Sequence, residues 1–312
     1  MGKHDLPQII DRILKLKADG CYRFTCETDR LFSELSSFRI GGAISFVLSP
    51  SDIPSLCLLT RELYDGGVPY LVLGAGSNIL PPDEGYHGVV LLTSRLRKMQ
   101  LSGNRLTVLC GTPLNESILF AARNGLCGME HLYGIPATVG GAIFMNAGAH
   151  GTSIADTLEC VSLYDPATDT VLSPSCEEMR FSYRHSMLQD HKRLVVLSAT
   201  FCLSAGCRED ILQTVQKTMR LRASSQPLEY PSAGSTFRRP RPDTEVWRLI
   251  DACGLRGYRI GDAQISEKHA GFIVNRGKAR AADVRELIVT ARREVLHTFG
   301  ILLIPEVEIL GK

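Results

Sequence analysis

Apolar and polar positions follow two periods along the chain. Near the start, Leu6, Ile9, Ile10, Ile13 and Leu14 recur at helical spacing among Lys and Asp, which predicts an amphipathic helix. Ser51 to Gly66 reads as a second helix, capped by Ser51, with Asp52 in its first turn and Gly66-Gly67 as its stop. It stands between the strand-like Ile44 to Leu48 and the buried strand Val68 to Leu73, which makes a β-α-β unit. A loop then leads to the apolar strand Gly88 to Thr93. From Leu106 the pattern resumes as a strand, a helix (Asn115 to Asn124), a glycine-rich stretch, and the strands Thr157 to Tyr164 and Leu194 to Leu203. Arg208 to Ala223 predicts a polar helix, Val246 to Cys253 another, and Ala270 to Asn275 a strand. In the last helix, Asp283 to Phe299, the apolar positions Val284, Leu287, Ile288, Ala291, Val295 and Phe299 share one face, and Gly300 ends it. Ile301 to Leu310 reads as a terminal strand. Ser224 to Asp243, rich in Ser, Pro and Arg, is the strongest boundary candidate.

These elements belong to a chain of 312 residues, 44% hydrophobic and 22% charged, a globular balance that excludes disorder, collagen and coiled coil. Lys+Arg number 35 against 33 Asp+Glu, a net charge of +2, so no large basic excess argues for a nucleic-acid partner. The ten cysteines contain no CxxC pair; the nearest spacings are Cys21/Cys26 and Cys202/Cys207, and neither lies near a His pair of zinc spacing. They read as reduced thiols, with no metal site. The longest near-apolar run, Leu194 to Ala205, holds two serines and is too short to span a bilayer. The N-terminal segment lacks a signal-peptide core, so the expected location is the cytoplasm, without membrane contact.

Three segments carry candidate chemistry. Gly74-Ala75-Gly76-Ser77-Asn78 begins like a dinucleotide fingerprint, but Ile79 replaces the third glycine and Pro81-Pro82 stand where a helix should start, so a Rossmann reading fails. Such a loop still offers backbone N–H groups to a phosphate, or is an ordinary turn. The second segment, Gly134-Ile135-Pro136-Ala137-Thr138-Val139-Gly140-Gly141-Ala142-Ile143-Phe144-Met145-Asn146-Ala147-Gly148-Ala149-His150-Gly151, holds five glycines and almost no charge. Glycine lets a ligand approach the backbone, and Ile135, Val139 and Ile143 would give an apolar surface to a flat cofactor; a buried crossover of small residues is the competing reading. In the third, Pro231-Ser232-Ala233-Gly234-Ser235-Thr236-Phe237-Arg238-Arg239-Pro240-Arg241, small hydroxyl residues lead into three arginines, which suits an acid group beside an anion site or a solvated basic linker. Glu306 and Glu308 share one face of the terminal strand, and the pattern alone does not choose between them.

Taken together, the motifs resemble the MurB family of UDP-N-acetylenolpyruvoylglucosamine reductases, from Phe38 to Gly311. They are Phe38-Arg39-Ile40-Gly41-Gly42, Leu73 to Asn78, Gly134 to Ala149, Tyr183-Arg184, Pro231 to Phe237, Gly257-Tyr258-Arg259-Ile260-Gly261, Ser266-Glu267-Lys268-His269-Ala270, Ile273-Val274-Asn275-Arg276-Gly277 and Pro305-Glu306-Val307. The resemblance implies an α+β fold. Residues 1–204 would be a FAD-binding domain of the p-cresol methylhydroxylase/vanillyl-alcohol oxidase (PCMH/VAO) type, with two α+β subdomains split near 98. Residues 205–304 would be a smaller α+β substrate-binding domain, and residues 305–312 a strand returning to the FAD domain. The short Leu203 to Leu228 segment is similar to the family's second type, which lacks an extra substrate-covering loop.

In that family NADPH reduces tightly, non-covalently bound FAD, and the flavin then passes hydride to the enolpyruvyl methylene of the UDP sugar. The resemblance implies FAD on Gly74, Ala75, Gly76, Ser77, Asn78, Gly134, Ile135, Pro136, Ala137, Thr138, Gly140, Gly141, Asn146, Ala147 and Gly148. It implies Arg184 and Glu306 as the groups that stabilise the enolate and Ser235 as the proton donor. Tyr183, Arg238, Arg239 and His269 would bind substrate. The partners are then the small molecules UDP-N-acetylglucosamine enolpyruvate and NADPH, acting on a monomer. Two departures from the family pattern stand out: Arg238-Arg239 replaces Lys-Asn, and Gly271 stands where Asn is common. Competing readings are a FAD oxidase of small alcohols, which would not need Arg184, Ser235 and Glu306 together, and a non-catalytic nucleotide-sugar-binding protein on the same scaffold.

Overall fold

The computed structural model describes residues 6–18, 20 and 22–311. It divides into two compact units that interleave in sequence: residues 1–28, 45–75 and 87–220 form the first, and 29–44, 76–86 and 221–312 the second. Both mix helices and sheets, in keeping with the α+β class expected from the sequence.

In the first unit the sheet order places Tyr86–Leu92 between Ala43–Pro50 and Tyr70–Leu73, and it runs parallel to Tyr70–Leu73. Val89, Val90 and Leu91 have no exposed surface, which is why this strand reads as an unbroken apolar run rather than an alternation. Helix Ile53–Asp65 links the strands before and after it. Its cap is Asp52, not the expected Ser51: the Asp52 carboxylate accepts from Ser55 N at 2.9 Å, satisfying one of the donors a helix start leaves unpaired. A second, antiparallel sheet runs in the order Thr170–Leu172, Leu158–Asp165, Val195–Cys202, Arg105–Leu109, Met99–Ser102. Side chains from both sheets, with the helices Leu6–Ala18 and Leu114–Arg123, join one buried cluster.

The second unit carries a four-stranded antiparallel sheet, Ser232–Ser235, Phe272–Asn275, Ala263–Ile265 and Arg259–Ile260. Its core adds the apolar face of helix Ala281–Phe299 and Phe38, Ile40 and Leu80 from distant parts of the chain. Gly300 ends that helix at φ 67°, in the left-handed conformation that suits glycine. The predicted strand Ile301 to Leu310 shrinks to Glu308–Ile309, paired in parallel with Ile79–Leu80, plus a bridge between Phe237 and Pro305. Proline lacks the N–H that a continuous ladder requires.

Asn275 ties the second unit together. Its amide donates to the carbonyls of Phe38 (3.1 Å) and Arg39 (3.4 Å), and its Oδ1 accepts from Gly277 N (2.9 Å) and Ala279 N (3.0 Å). The buried amide thereby uses both donors and both lone pairs. Among the described residues no helix is long and apolar enough to cross a membrane, and no cluster of His, Cys, Asp and Glu could hold a metal ion. The nine described cysteines are free thiols; Cys21 lies outside the described residues.

Candidate active site

The two glycine segments meet in the first unit. Gly74 ends the strand Tyr70–Leu73, and a Cβ there would run into Oγ1 and Cβ of Thr138, so only glycine lets the loops close on each other. Thr138 caps a short helix, Val139–Phe144, by accepting from Gly141 N at 3.4 Å. This helix was not anticipated, because its Gly-Gly start has poor helix propensity. It is held from outside: Val139 N donates to Thr112 O at 2.9 Å and Gly140 N to Cys110 O at 2.8 Å. Cys110 lies beneath, its thiol pushed up to about 12 by burial, as befits an inert packing residue. Asn115 Oδ1 accepts from Gly134 N at 2.7 Å and anchors the start of the segment.

The side chains do not follow the sequence expectation throughout. Val139 and Ile143 have no exposed surface and serve the core, leaving Ile135 half-buried as the apolar contributor. Ala75, Pro136 and Gly141 are exposed, and Gly74, Ala137 and Gly140 partly so. The resulting surface has small side chains and a closely approachable backbone. That suits a flat cofactor carrying a diphosphate, and the residues present therefore fit FAD.

Arg184 is built onto the same segment. Ser182 and His185 exchange backbone hydrogen bonds at 3.1 Å, so Tyr183 and Arg184 form the tip of a tight turn, with Arg184 at φ 55°. Three residues of the glycine segment hold this turn. Asn146 Nδ2 donates to Ser182 O (2.9 Å), Arg184 Nη2 to Gly148 O (2.9 Å), and Phe144 O accepts from both Ser186 Oγ (2.8 Å) and Gln189 Nε2 (3.1 Å). Gln189 Nε2 also donates to Arg184 O at 2.9 Å, which stabilises the unusual backbone. Tyr183 is half-exposed, with its ring 5.2 Å from the Arg184 guanidinium.

Ser235 and Glu306 lie in the second unit, brought together by backbone pairing. The strand Ser232–Ser235 aligns Ser232 with Val274 and Ser235 with Phe272, a bulge that spends one extra residue, with Gly234 at φ 76°. Bulges re-aim side chains, and this one leaves Ser235 exposed while Thr236 turns inward at 5% exposure. Thr236 O accepts from Glu306 N at 2.8 Å, and Arg238 N donates to Ile304 O at 2.9 Å. From the other side Asn78 Nδ2 donates to Glu306 O at 3.1 Å, and Asn78 O accepts from Glu308 N at 2.9 Å. Gly76, Ser77 and Asn78 thus belong to the second unit, whereas Gly74 and Ala75 belong to the first.

The remaining candidates surround this pair of strands. Nε of Arg238 is buried without a hydrogen-bond partner. Arg239 forms an ion pair with Glu245 at 3.0 Å, and Arg241 is exposed. The His269 ring lies 6.1 Å from Trp247 and 5.0 Å from Phe272, and burial pushes its pKa below 6.5. Sequence reasoning did not single out Thr236, Asn115, Ser182 or Gln189. Their roles run through backbone contacts across long sequence separations, for which a single sequence carries no signal.

The chain is similar to known proteins along most of its length. Residues 44–173 match an FAD binding domain, and residues 226–310 match the C-terminal domain of UDP-N-acetylenolpyruvoylglucosamine reductase. The UDP-N-acetylenolpyruvoylglucosamine reductase of Caldicellulosiruptor bescii is 42% identical over 286 residues, which are 91% of this chain and 90% of that protein. That of Thermotoga maritima is 42% identical over 282 residues, 89% of this chain and 98% of that protein. The crystal structure of the Thermus caldophilus reductase (MurB) superposes with a TM-score of 0.77 at 36% identity, covering 93% of this chain and 100% of that one. The chain belongs to the UDP-N-acetylenolpyruvoylglucosamine reductase (MurB) family of FAD-dependent oxidoreductases.

Proposed function

We propose that this chain reduces UDP-N-acetylglucosamine enolpyruvate to UDP-N-acetylmuramate with NADPH, a step in making peptidoglycan precursors. The observation that carries the reading is the joining of an acid candidate and a carboxylate, Ser235 and Glu306, on paired segments, in a chain whose other unit anchors Arg184 on a glycine cradle fit for FAD. The chemistry FAD supplies when bound is two-electron transfer, hydride in from NADPH and hydride out to the enolpyruvyl methylene carbon. Charge then grows on the neighbouring carbon and its carboxylate. Arg184, a permanent cation with one arm fixed on Gly148 O, is the group we assign to that carboxylate. Glu306 would assist as hydrogen-bond donor to the enol oxygen in its protonated form. Ser235 would deliver the proton to the α-carbon, with Arg238 as nearby positive charge to support its developing alkoxide.

The cofactor residues proposed from the glycine segments are Gly74, Ala75, Gly76, Ser77, Asn78, Gly134 to Thr138, Gly140, Gly141, Asn146, Ala147 and Gly148. Arg238, Arg239, Tyr183 and His269 are proposed for substrate. The buried, partnerless Nε of Arg238 supports an anionic ligand there, while Arg239 would first have to release Glu245. We retain 1–204 as FAD-binding, 205–304 as substrate-binding and 305–312 as the returning strand in functional terms. We further propose that the active species is a monomer. Charged UDP sugars and NADPH do not cross bilayers unaided, which supports a cytoplasmic location for the activity. The test is anaerobic NADPH oxidation: turnover beyond one NADPH per flavin should require the enolpyruvyl sugar and yield UDP-N-acetylmuramate, and sustained turnover with the sugar present that forms no UDP-N-acetylmuramate would refute the proposal.

A further inference from the structure

Gly271 is the joint between two groups of the second unit. Its N–H donates to Nδ1 of His269 at 3.2 Å, and its carbonyl accepts from Thr236 N at 2.8 Å, one residue past Ser235. A Cβ at position 271 would stand 2.9 Å from Cε1 and 3.1 Å from Nδ1 of His269. The backbone of Gly271 lies outside the left-handed region, so the position does not need glycine for its φ. What it needs is the space that the ring takes up. The imidazole folds back over its own backbone against Trp247 and the edge of Phe272, and Phe272 is the register partner of Ser235.

The contact also fixes the ring's chemistry. A neutral imidazole has one donor and one acceptor nitrogen, and Nδ1 is the acceptor here, so the proton resides on Nε2. Burial favours this neutral form and the Arg256 charge adds to that, against the opposing pull of Glu245, the partner of Arg239. The ring therefore borders the Ser235 strand through Phe272 and lies within electrostatic reach of Glu245 and Arg256.

We propose that Gly271 is a specificity-determining position: by making room for His269 it presents Nε2–H as a fixed, uncharged donor to an anionic oxygen of the substrate, carboxylate or phosphate. This rests on the substrate reading above. The test labels holoenzyme with 15N-histidine and reads the His269 tautomer by NMR before any substrate is added, in wild type, Gly271→Ala and Gly271→Asn. The wild type should show Nε2–H. Both variants should lose that signature and bind the enolpyruvyl sugar about 10- to 100-fold more weakly, the size of a hydrogen bond to a charged group. In a His269→Ala background, Gly271→Ala should add no further loss, which separates ring displacement from general misfolding. UDP-N-acetylglucosamine, which has the diphosphate and lacks the carboxylate, distinguishes the two sources. Weakening with both ligands assigns the phosphate, and weakening with the enolpyruvyl sugar alone assigns the carboxylate. A Gly271→Ala enzyme that keeps the wild-type tautomer and affinity overturns this inference alone, whereas wild-type holoenzyme that fails to bind the enolpyruvyl sugar overturns the substrate reading with it.

Discussion

The backbone N–H of Glu306 donates to the carbonyl of Thr236 at 2.8 Å, so Glu306 is held beside the residue that follows Ser235. Seventy-one residues apart in sequence, Ser235 and Glu306 are tied together through backbone hydrogen bonding. Their separation is set by a short ladder and the Ser232–Ser235 bulge rather than by flexible side chains. Preorganisation of this kind is what electrostatic and acid catalysis require.

Ser235→Ala removes the hydroxyl and leaves that ladder intact. Flavin reduction by NADPH should survive, while formation of UDP-N-acetylmuramate falls by roughly 10²- to 10⁴-fold, the usual worth of a positioned acid. Separate measurement of the two half-reactions checks this. Loss of both together would remove Ser235 from the role.

Arg184→Lys keeps the charge and loses the planar fork that reaches Gly148 O. Turnover should fall by about 10²- to 10³-fold, comparable to deleting one donor from an oxyanion site. Steady-state kinetics with the enolpyruvyl sugar gives the number, and wild-type kcat in the Lys variant would count against the assignment.

Gly74→Ala forces a methyl group onto Thr138. The expected outcome is weaker FAD retention and a loss of about 1 to 3 kcal/mol of stability, the typical cost of overpacking. Flavin content after gel filtration and a thermal melt measure both. Thr138→Ala in the same chain should recover part of the loss, since it removes the clashing hydroxyl.

Asn275→Ala strips four hydrogen bonds from a buried site and strands the carbonyls of Phe38 and Arg39. Stability should drop by about 2 to 4 kcal/mol in urea unfolding, because buried polar groups left unpaired each cost on the order of 1 to 3 kcal/mol.

The depressed pKa of His269 gives a pH signature. The unfolded chain takes up a proton near the ordinary value of 6.5 and the folded chain only at lower pH, so stability decreases as pH falls below about 6.5 and is unaffected above it. His269→Gln should flatten that part of the stability profile between about pH 7 and about pH 5.

Much of this was legible in the sequence. The helix Ala281–Phe299 and its Gly300 stop follow from apolar spacing and a left-handed cap, and the apolar strand read over Gly88 to Thr93 is Tyr86–Leu92, whereas the strand expected to be buried, Val68 to Leu73, is Tyr70–Leu73 with only Leu73 buried. The glycine segments announced themselves because backbone approach leaves a compositional mark. Other features were hidden for physical reasons. Val139–Phe144 forms a helix against its Gly-Gly propensity because Thr138, Thr112 and Cys110 supply partners from elsewhere. Pro305 breaks the terminal strand that its apolar neighbours suggested, leaving Glu306 anchored by Asn78 and Thr236 instead of by a continuous ladder. Arg238 and Arg239 looked alike in sequence, yet Glu245 engages Arg239 while Nε of Arg238 stays unpartnered.

The most direct test of the central claim is an anaerobic absorbance experiment on purified holoenzyme. The protein should be yellow, lose its flavin absorbance on adding NADPH, and regain it when UDP-N-acetylglucosamine enolpyruvate follows, with one UDP-N-acetylmuramate formed per flavin reoxidised. A colourless protein that gains no colour with FAD, or a bleached flavin that the enolpyruvyl sugar leaves bleached, would contradict it.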